Sequence, residues 1–230
     1  MLILDWMKTN VLSVSPEASL LQCRKIFKEH NISRLPVVDA DKVVVGLISA
    51  ADINSFAPHR TTGLEILEVL DLLADTPAKQ IMTVDPVTIN YKGTVEQAAQ
   101  RMIEQHATCL PVVNSEEKLV GILTEWDIFK ALVSISGAAM PSSVAMAFSL
   151  ENKQGTLREI LDLLKEYGVR IATVLSNIAD DGTRQVKISF WSDDPEAEKG
   201  ALEKLKGHAG LRYWARGSEV YLHDKPDFTL

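Results

Sequence analysis

Cysteine is scarce in this 230-residue sequence, and the two present, Cys23 and Cys109, cannot build a disulfide framework. Neither sits in a metal-ligand spacing, and the five histidines share no motif either, so no metal site is expected. Basic residues are outnumbered, 24 Lys and Arg against 31 Asp and Glu. The resulting net charge of −7 argues against a dominant nucleic-acid role, because phosphate backbones are held mainly by clustered cations. No apolar run approaches the ~20 residues that span a bilayer, so no membrane partner is expected. The opening Met1–Trp6 has neither a basic stretch nor a full apolar core, so it does not read as a signal peptide and a cytoplasmic location follows. A glycine-rich phosphate loop, a nucleophile elbow and an HExxH motif are all missing, which leaves no catalytic residue and no catalytic cofactor to nominate. What remains is an ordinary globular composition, 46% hydrophobic and 24% charged, of a length that suits two domains.

An internal repeat organises the first part of the chain. A shift of 75 positions places Met7 on Met82, Pro36 on Pro111, Gly46 on Gly121 and Asp52 on Asp127. Eight of the twenty pairs between Arg34–Ile53 and Cys109–Ile128 are identical. Each copy repeats the same local signals. Ser19 with Gln22, and Thr94 with Gln97, read as capping boxes that open a helix. Val95, Ala98, Ala99, Met102 and Ile103 mark one apolar helical face in the second copy. Short β-branched runs at Leu35–Val38 and Val43–Ile48, matched by Leu110–Val113 and Lys118–Leu123, predict strands. A further helix is expected after Ser49 and after Thr124, giving a β-α-β-β-α unit in each copy.

With these residues in view, the repeats resemble CBS domains. Met7–Val14, Leu35–Asp39 and Gly46–Ile53 carry one motif; Met82–Thr83, Leu110–Asn114 and Gly121–Ile128 carry the second. The resemblance covers roughly residues 1–135, with repeat 1 at about 1–58, a connecting helix at 59–78 and repeat 2 at about 79–135. It implies an α+β tandem module with pseudo-twofold symmetry, a Bateman module. Its two clefts would take adenosine ligands such as AMP, ADP, ATP or S-adenosylmethionine.

The residues supply a physical rationale. A hydroxyl from Ser49 or Thr124 stands beside the first unpaired N–H groups of a helix, where phosphate is favoured. Asp52 and Asp127, three residues on, can accept hydrogen bonds from ribose hydroxyls. Apolar strand edges near Val11–Leu12 and Pro86–Val87 would sandwich the purine, and Arg34 offers a guanidinium fork to phosphate. Ser49 with Asp52, and Thr124 with Asp127, equally fit helix caps alone, and both readings stay open. The copies also differ: Arg34 faces Cys109 in the alignment, and Ala51 faces Trp126. One cleft is therefore expected to bind a phosphorylated adenosine better than the other. Cys23 matches Ala98 and reads as a small core residue.

Between the repeats, Glu65, Glu68, Asp71 and Asp75 form a narrow acidic stripe on an otherwise apolar helix. Such a helix should be covered on more than one side, by the module itself or across a dimer. His59 and Arg60 precede it, as a solvated loop or as positive charge near a cleft.

Small residues and a proline at Ser136–Ser143 mark a linker, after which the pattern changes. Strands are predicted at Val144–Leu150, Val169–Ser176, Gln185–Trp191 and Leu211–Ala215, with one more at Glu219–His223. Helices are predicted from Leu157 to Gly168 and from Pro195 to Gly207, and Asp180-Asp181-Gly182 marks a hairpin. The order βαββαβ is that of a ferredoxin-like sandwich over residues 144–223. It resembles an ACT domain, in which Asn152, Gly155 and Leu157 match the turn near the amino-acid site. Plain turn chemistry explains Asn152 and Gly155 as well. ACT resemblance implies side-by-side pairing, hence a homodimer. CBS–CBS–ACT in one chain resembles the bacterial acetoin-utilisation regulatory proteins.

Two functions follow. One is a regulatory sensor with nucleotide in the CBS clefts and an amino acid at the ACT turn, acting on a protein target that no residue pattern identifies. The other is a dimeric interaction scaffold whose clefts are vestigial.

Overall fold

The computed structural model describes residues 1–56, 66–138, 140 and 143–223. The chain divides into two compact units, Met1–Ala131 and Leu132–Leu230. In the first, α1 (Leu20–His30), β1 (Arg34–Val38), β2 (Val44–Ser49) and α2 (Ala50–Phe56) form repeat 1, and α3 (Ile66–Asp75) follows. Repeat 2 comprises β3 (Thr83–Val84), β4 (Ile89–Asn90), α4 (Val95–Glu104), β5 (Cys109–Val113), β6 (Leu119–Thr124) and α5 (Glu125–Ile135).

The box predicted at Thr94 and Gln97 forms in full, and the one at Ser19 and Gln22 only in half. Ser19 Oγ accepts from the Gln22 N–H at 3.2 Å, and Thr94 with Gln97 makes the complete reciprocal box. α4 buries Val95, Ala98 and Met102, but Ile103, read from spacing as part of that face, is 75% exposed. Eight positions beyond Val95, it has rotated about 80° around the helix, past the edge of the contact. Each repeat folds its two long strands as an antiparallel pair, Pro36 opposite Leu47 and Pro111 opposite Ile122.

The leading strand of repeat 1, expected near Val11–Leu12, is reduced to single bridges at Lys8 and Val14, and a difference at one residue explains why the second stops. Val14 accepts from the Val38 N–H and donates to the Pro36 carbonyl, parallel to β1. In repeat 2 the matching ladder runs on: Ile89 and Asn90 pair with Val112 and Val113, and Tyr91 N donates to Val113 O at 3.1 Å. Pro16 stands where Tyr91 stands and has no N–H to give.

The two repeats exchange their leading segments. Lys8 bridges Ile122 in the sheet of repeat 2, while β3, which leads repeat 2, pairs with β2 of repeat 1. Short 3-10 turns repeat the exchange: Ile3, from Ile3–Asp5, is buried in the core of repeat 2, and Ala78, from Ala78–Gln80, in that of repeat 1. Gly46 and Gly121 make room for it. An added Cβ at Gly121 would lie 2.7 Å from Met7 Sδ and 3.1 Å from the Lys8 carbonyl, and one at Gly46 would collide with Met82. Glycine is required at both positions by close approach.

α3 packs on α1 and buries Leu73, with Val69 half-covered. Leu67 and Leu72 remain exposed within this chain, so the expectation of cover on more than one side is not met there. His59, Arg60, Leu64 and Glu65 lie outside the described residues.

The second unit contains β7 (Val144–Leu150), α6 (Thr156–Glu166), β8 (Arg170–Ile178), β9 (Arg184–Trp191), α7 (Pro195–Lys206), β10 (Leu211–Arg216) and β11 (Glu219–Leu222). The sheet runs β11-β10-β7-β9-β8, antiparallel throughout. Alternate residues Val144, Met146, Phe148 and Leu150 of β7 enter the core, where Ile160 and Leu164 of α6 and Leu202 and Leu205 of α7 meet them. The hairpin glycine, Gly182, has φ +80°, as predicted for that turn. The division between the units falls inside α5. Ser136, read as linker, gives its carbonyl to Lys187 Nζ at 3.0 Å and so packs with the second unit.

Candidate functional site: two clefts of unequal size

The exchanged segments bring most of the predicted residues together crosswise, while buried Asp127 is not part of the lining of either cleft. A cleft of about 750 Å³ is lined by Val11 and Leu12 from the leading segment of repeat 1 and by Thr124 from repeat 2. A smaller one, about 320 Å³, is lined by Pro86 and Val87 from repeat 2 and by Ser49 and Asp52 from repeat 1. Each apolar pair therefore serves the hydroxyl of the other copy. Both volumes fall in or near the range of small-molecule sites, the second at its lower edge.

Arg34 lines both clefts. Its Nη2 donates to Thr108 Oγ1 at 2.7 Å and its Nη1 to the Ser33 carbonyl at 3.2 Å. Its placement revises the asymmetry expected from Arg34 and Cys109. No cleft loses the guanidinium, and the inequality comes from the other lining residues. The larger cleft adds Lys8, His30 and Lys130 against the single acid Glu125 of its lining; the smaller has Arg34 and His106 against Asp52. Trp126, the counterpart of Ala51, also lines the larger cleft, 68% exposed and edge-on to Phe129. Lys8, His30, Thr108 and Lys130 escape sequence reasoning because isolated polar residues carry no spacing signal. Only the crosswise exchange gathers them.

The two Ser/Thr-x-x-Asp pairs behave as caps, each in its own way. Ser49 N donates to Asp52 Oδ2 at 2.7 Å and Asp52 N to Ser49 Oγ at 3.1 Å, a reciprocal box closed by Asp. Asp52 Oδ1 has no hydrogen-bond partner among the described residues. Thr124 instead donates both its N–H (3.0 Å) and its hydroxyl (2.6 Å) to Asp127 Oδ2. Asp127 is 3% exposed, and its Oδ1 lies 3.5 Å from Lys130 Nζ. Burial pushes the Cys109 thiol up to about 11, with Arg34 as the main opposing influence. It is neutral at physiological pH, as is Cys23, likewise raised by burial to about 11 and enclosed in the core of repeat 1. A third depression, about 440 Å³ beside α4 and lined by Gln97, Arg101 and Glu104, holds none of the predicted residues. Among the described residues, His, Cys, Asp and Glu nowhere gather in threes as metal ligands would. Among them, too, no helix is long and apolar enough to cross a membrane.

In the second unit, Asn152 Oδ1 accepts from Arg184 Nη2 at 3.2 Å, and Gly155 caps α6 with φ +101°, a left-handed conformation that favours glycine. Leu157 turns inward against the core. Turn chemistry thus accounts for Gly155, a side-chain hydrogen bond from Arg184 engages Asn152, and packing holds Leu157.

Two repeats that trade leading segments, with a cleft beside each strand-to-helix junction, define a paired-cleft module. Residues 3–58 and 78–134 match the CBS domain, and the chain belongs to the CBS domain family. It is 30% identical over 127 residues to an uncharacterized 17.7 kDa protein of Acidianus ambivalens, covering 55% of this chain and 70% of that one. It is 34% identical over 120 residues to an inosine-5'-monophosphate dehydrogenase of Korarchaeum cryptofilum. That match covers 52% of this chain and spans only 22% of the dehydrogenase. Among solved structures, the CBS-pair protein CBSX2 from Arabidopsis thaliana is similar at 25% identity and a TM-score of 0.52, over 58% of this chain and 95% of that one. CBSX2 in complex with AMP is similar at 27% identity and a TM-score of 0.48, over 58% and 97% of the respective chains.

Proposed function

We propose that this chain is a regulatory, non-catalytic sensor whose CBS clefts bind an adenosine nucleotide, the larger cleft being the principal site. The observation that carries the reading is the convergence of Val11, Leu12, Arg34 and Thr124 with Lys8 and Lys130 around one cavity. In this reading Val11 and Leu12 hold the purine, Asp127 takes the ribose through Oδ1 by displacing Lys130, and Lys8, Arg34, Lys130 and the Thr124 hydroxyl take phosphate. Pro86, Val87, Ser49 and Asp52 play the matching parts in the smaller cleft. Membership of the CBS family and the AMP complex of CBSX2 support an adenosine ligand. The cationic lining favours AMP, ADP or ATP over S-adenosylmethionine, whose sulfonium would face like charge. Isothermal titration of the full chain with these four ligands tests it. A phosphorylated adenosine should bind best, weaken with rising salt, and lose at least tenfold in affinity in Lys8→Gln/Lys130→Gln. Tighter binding of S-adenosylmethionine would reverse the ligand assignment.

The scaffold reading draws on the caps, since Ser49, Asp52, Thr124 and Asp127 are engaged without any ligand. Absence of heat with every compound would favour it. For residues 144–223 the βαββαβ order supports a ferredoxin-like, ACT-like domain, with an amino-acid site at the turn containing Asn152 and Gly155 and Leu157 as its packed anchor. The resemblance to acetoin-utilisation regulators rests on domain order and the apolar helix between the repeats, and adds no ligand. A homodimer and a cytoplasmic location belong to the same proposal. Exposed Trp126 and Phe129 on α5 and Leu67 on α3 support the dimer, which light scattering after size exclusion checks.

A further inference from the structure

We propose that the two clefts share one phosphate-binding cation, Arg34, so that a phosphorylated ligand in either cleft weakens phosphate binding in the other. The inference rests on the nucleotide reading above and adds a coupling between its sites. Its basis is the position of one guanidinium. Arg34 donates to Ser33 and to Thr108, and those two residues are counterparts under the 75-residue shift. A group bonded to both members of such a pair stands between the halves of the module, which is why it lines both clefts. Strict repetition would put a second arginine at position 109. Cys109 stands there, lines both clefts and is neutral, so it supplies no second charge.

The remaining cations make the sharing unequal. Lys8 and Lys130 line the larger cleft, and their counterparts under the shift are Thr83 and Ser55. The larger cleft can therefore hold phosphate with help besides Arg34, whereas the smaller has Arg34 and His106 alone. A phosphate monoester carries close to two negative charges at neutral pH, against one on the guanidinium. Once the first ligand binds in the larger cleft, its phosphate offsets the guanidinium that a second phosphate would need. The second phosphate then meets less attraction from Arg34 and the like charge of the first phosphate beside it. The clefts should fill in order, the larger first, with the second step penalised only when the ligand carries phosphate.

Calorimetric titration of the full chain with AMP and with adenosine separates this coupling from the difference in cleft size. Adenosine reports the intrinsic ratio of the two dissociation constants. With AMP the ratio should widen by about tenfold, within the usual range of coupling between sites. Arg34→Gln should weaken AMP binding and bring its ratio back to that of adenosine, and Arg34→Met should do the same if the glutamine variant does not fold. Equal ratios for AMP and adenosine in the wild type, or a ratio for AMP that persists in both variants, would overturn the proposal. So would a single binding step for every ligand in wild type and variants alike. If neither compound binds at all, it is the nucleotide reading that has failed, and the coupling falls with it.

Discussion

Asp52 and Asp127 occupy matching positions, yet their surroundings separate them. Asp127 is buried and receives two hydrogen bonds from Thr124 with Lys130 nearby, while Asp52 is half-exposed in a reciprocal box with Ser49. Truncation of Asp127 removes the acceptor of two part-buried donors, a loss of about 1–3 kcal/mol, whereas Asp52 accepts only one in a cap worth about 1 kcal/mol. Urea unfolding should therefore show Asp127→Ala as the more destabilised of the two alanine variants. The cysteines give a test in pH. Burial raises both thiols to about 11, which favours the neutral acid, so thiolate is scarce below that pH and grows as pH rises toward it. At pH 8 only about 0.1% of each would be thiolate, against roughly a tenth or more for an ordinary cysteine. Alkylation of the native chain should run roughly a hundredfold slower than that of the unfolded chain, and the gap should narrow above pH 10.

At the scale of elements, the 75-residue shift made most of the module legible. Strands, caps and the helices after Ser49 and Thr124 stand within a residue or two of where spacing put them. The crosswise exchange was not legible, because a duplication shows that two segments match without showing whose sheet each joins. The only trace in the sequence is a pair of glycines, Gly46 and Gly121, sitting opposite a methionine of the other copy. Gly121→Val should cost about 1–3 kcal/mol by overpacking. Met7→Ala should restore only part of that loss, since the Lys8 carbonyl is also in the way. Chemical denaturation of the single and double variants measures both. The sites were legible in kind but not in grouping. Val11 and Leu12 were named, as was Thr124, but their meeting in one cavity with Lys8 and Lys130 needed the fold.

At the scale of the whole molecule, the chain carries two units with separate cores, and the clefts belong to the first. Differential scanning calorimetry should resolve a transition that AMP moves and one that it leaves in place. A ligand at 100 times its dissociation constant stabilises by about 2.7 kcal/mol, which corresponds to roughly 5–10 °C for a unit of this size. An equal shift of both transitions would tie the units more closely than their separate cores suggest.

The exchange of leading segments also sets an order of assembly on the ribosome. Lys8 emerges long before its partner Ile122, so this segment is made early and finds its place late. Repeat 1 receives its borrowed strand as soon as Thr83 and Val84 appear, whereas repeat 2 waits for a segment that has been idle throughout synthesis. A bulky group attached beside Lys8 would accordingly disturb the half of the module more distant in sequence. Translation stalled before Ile122 would leave residues 1–8 open to proteases.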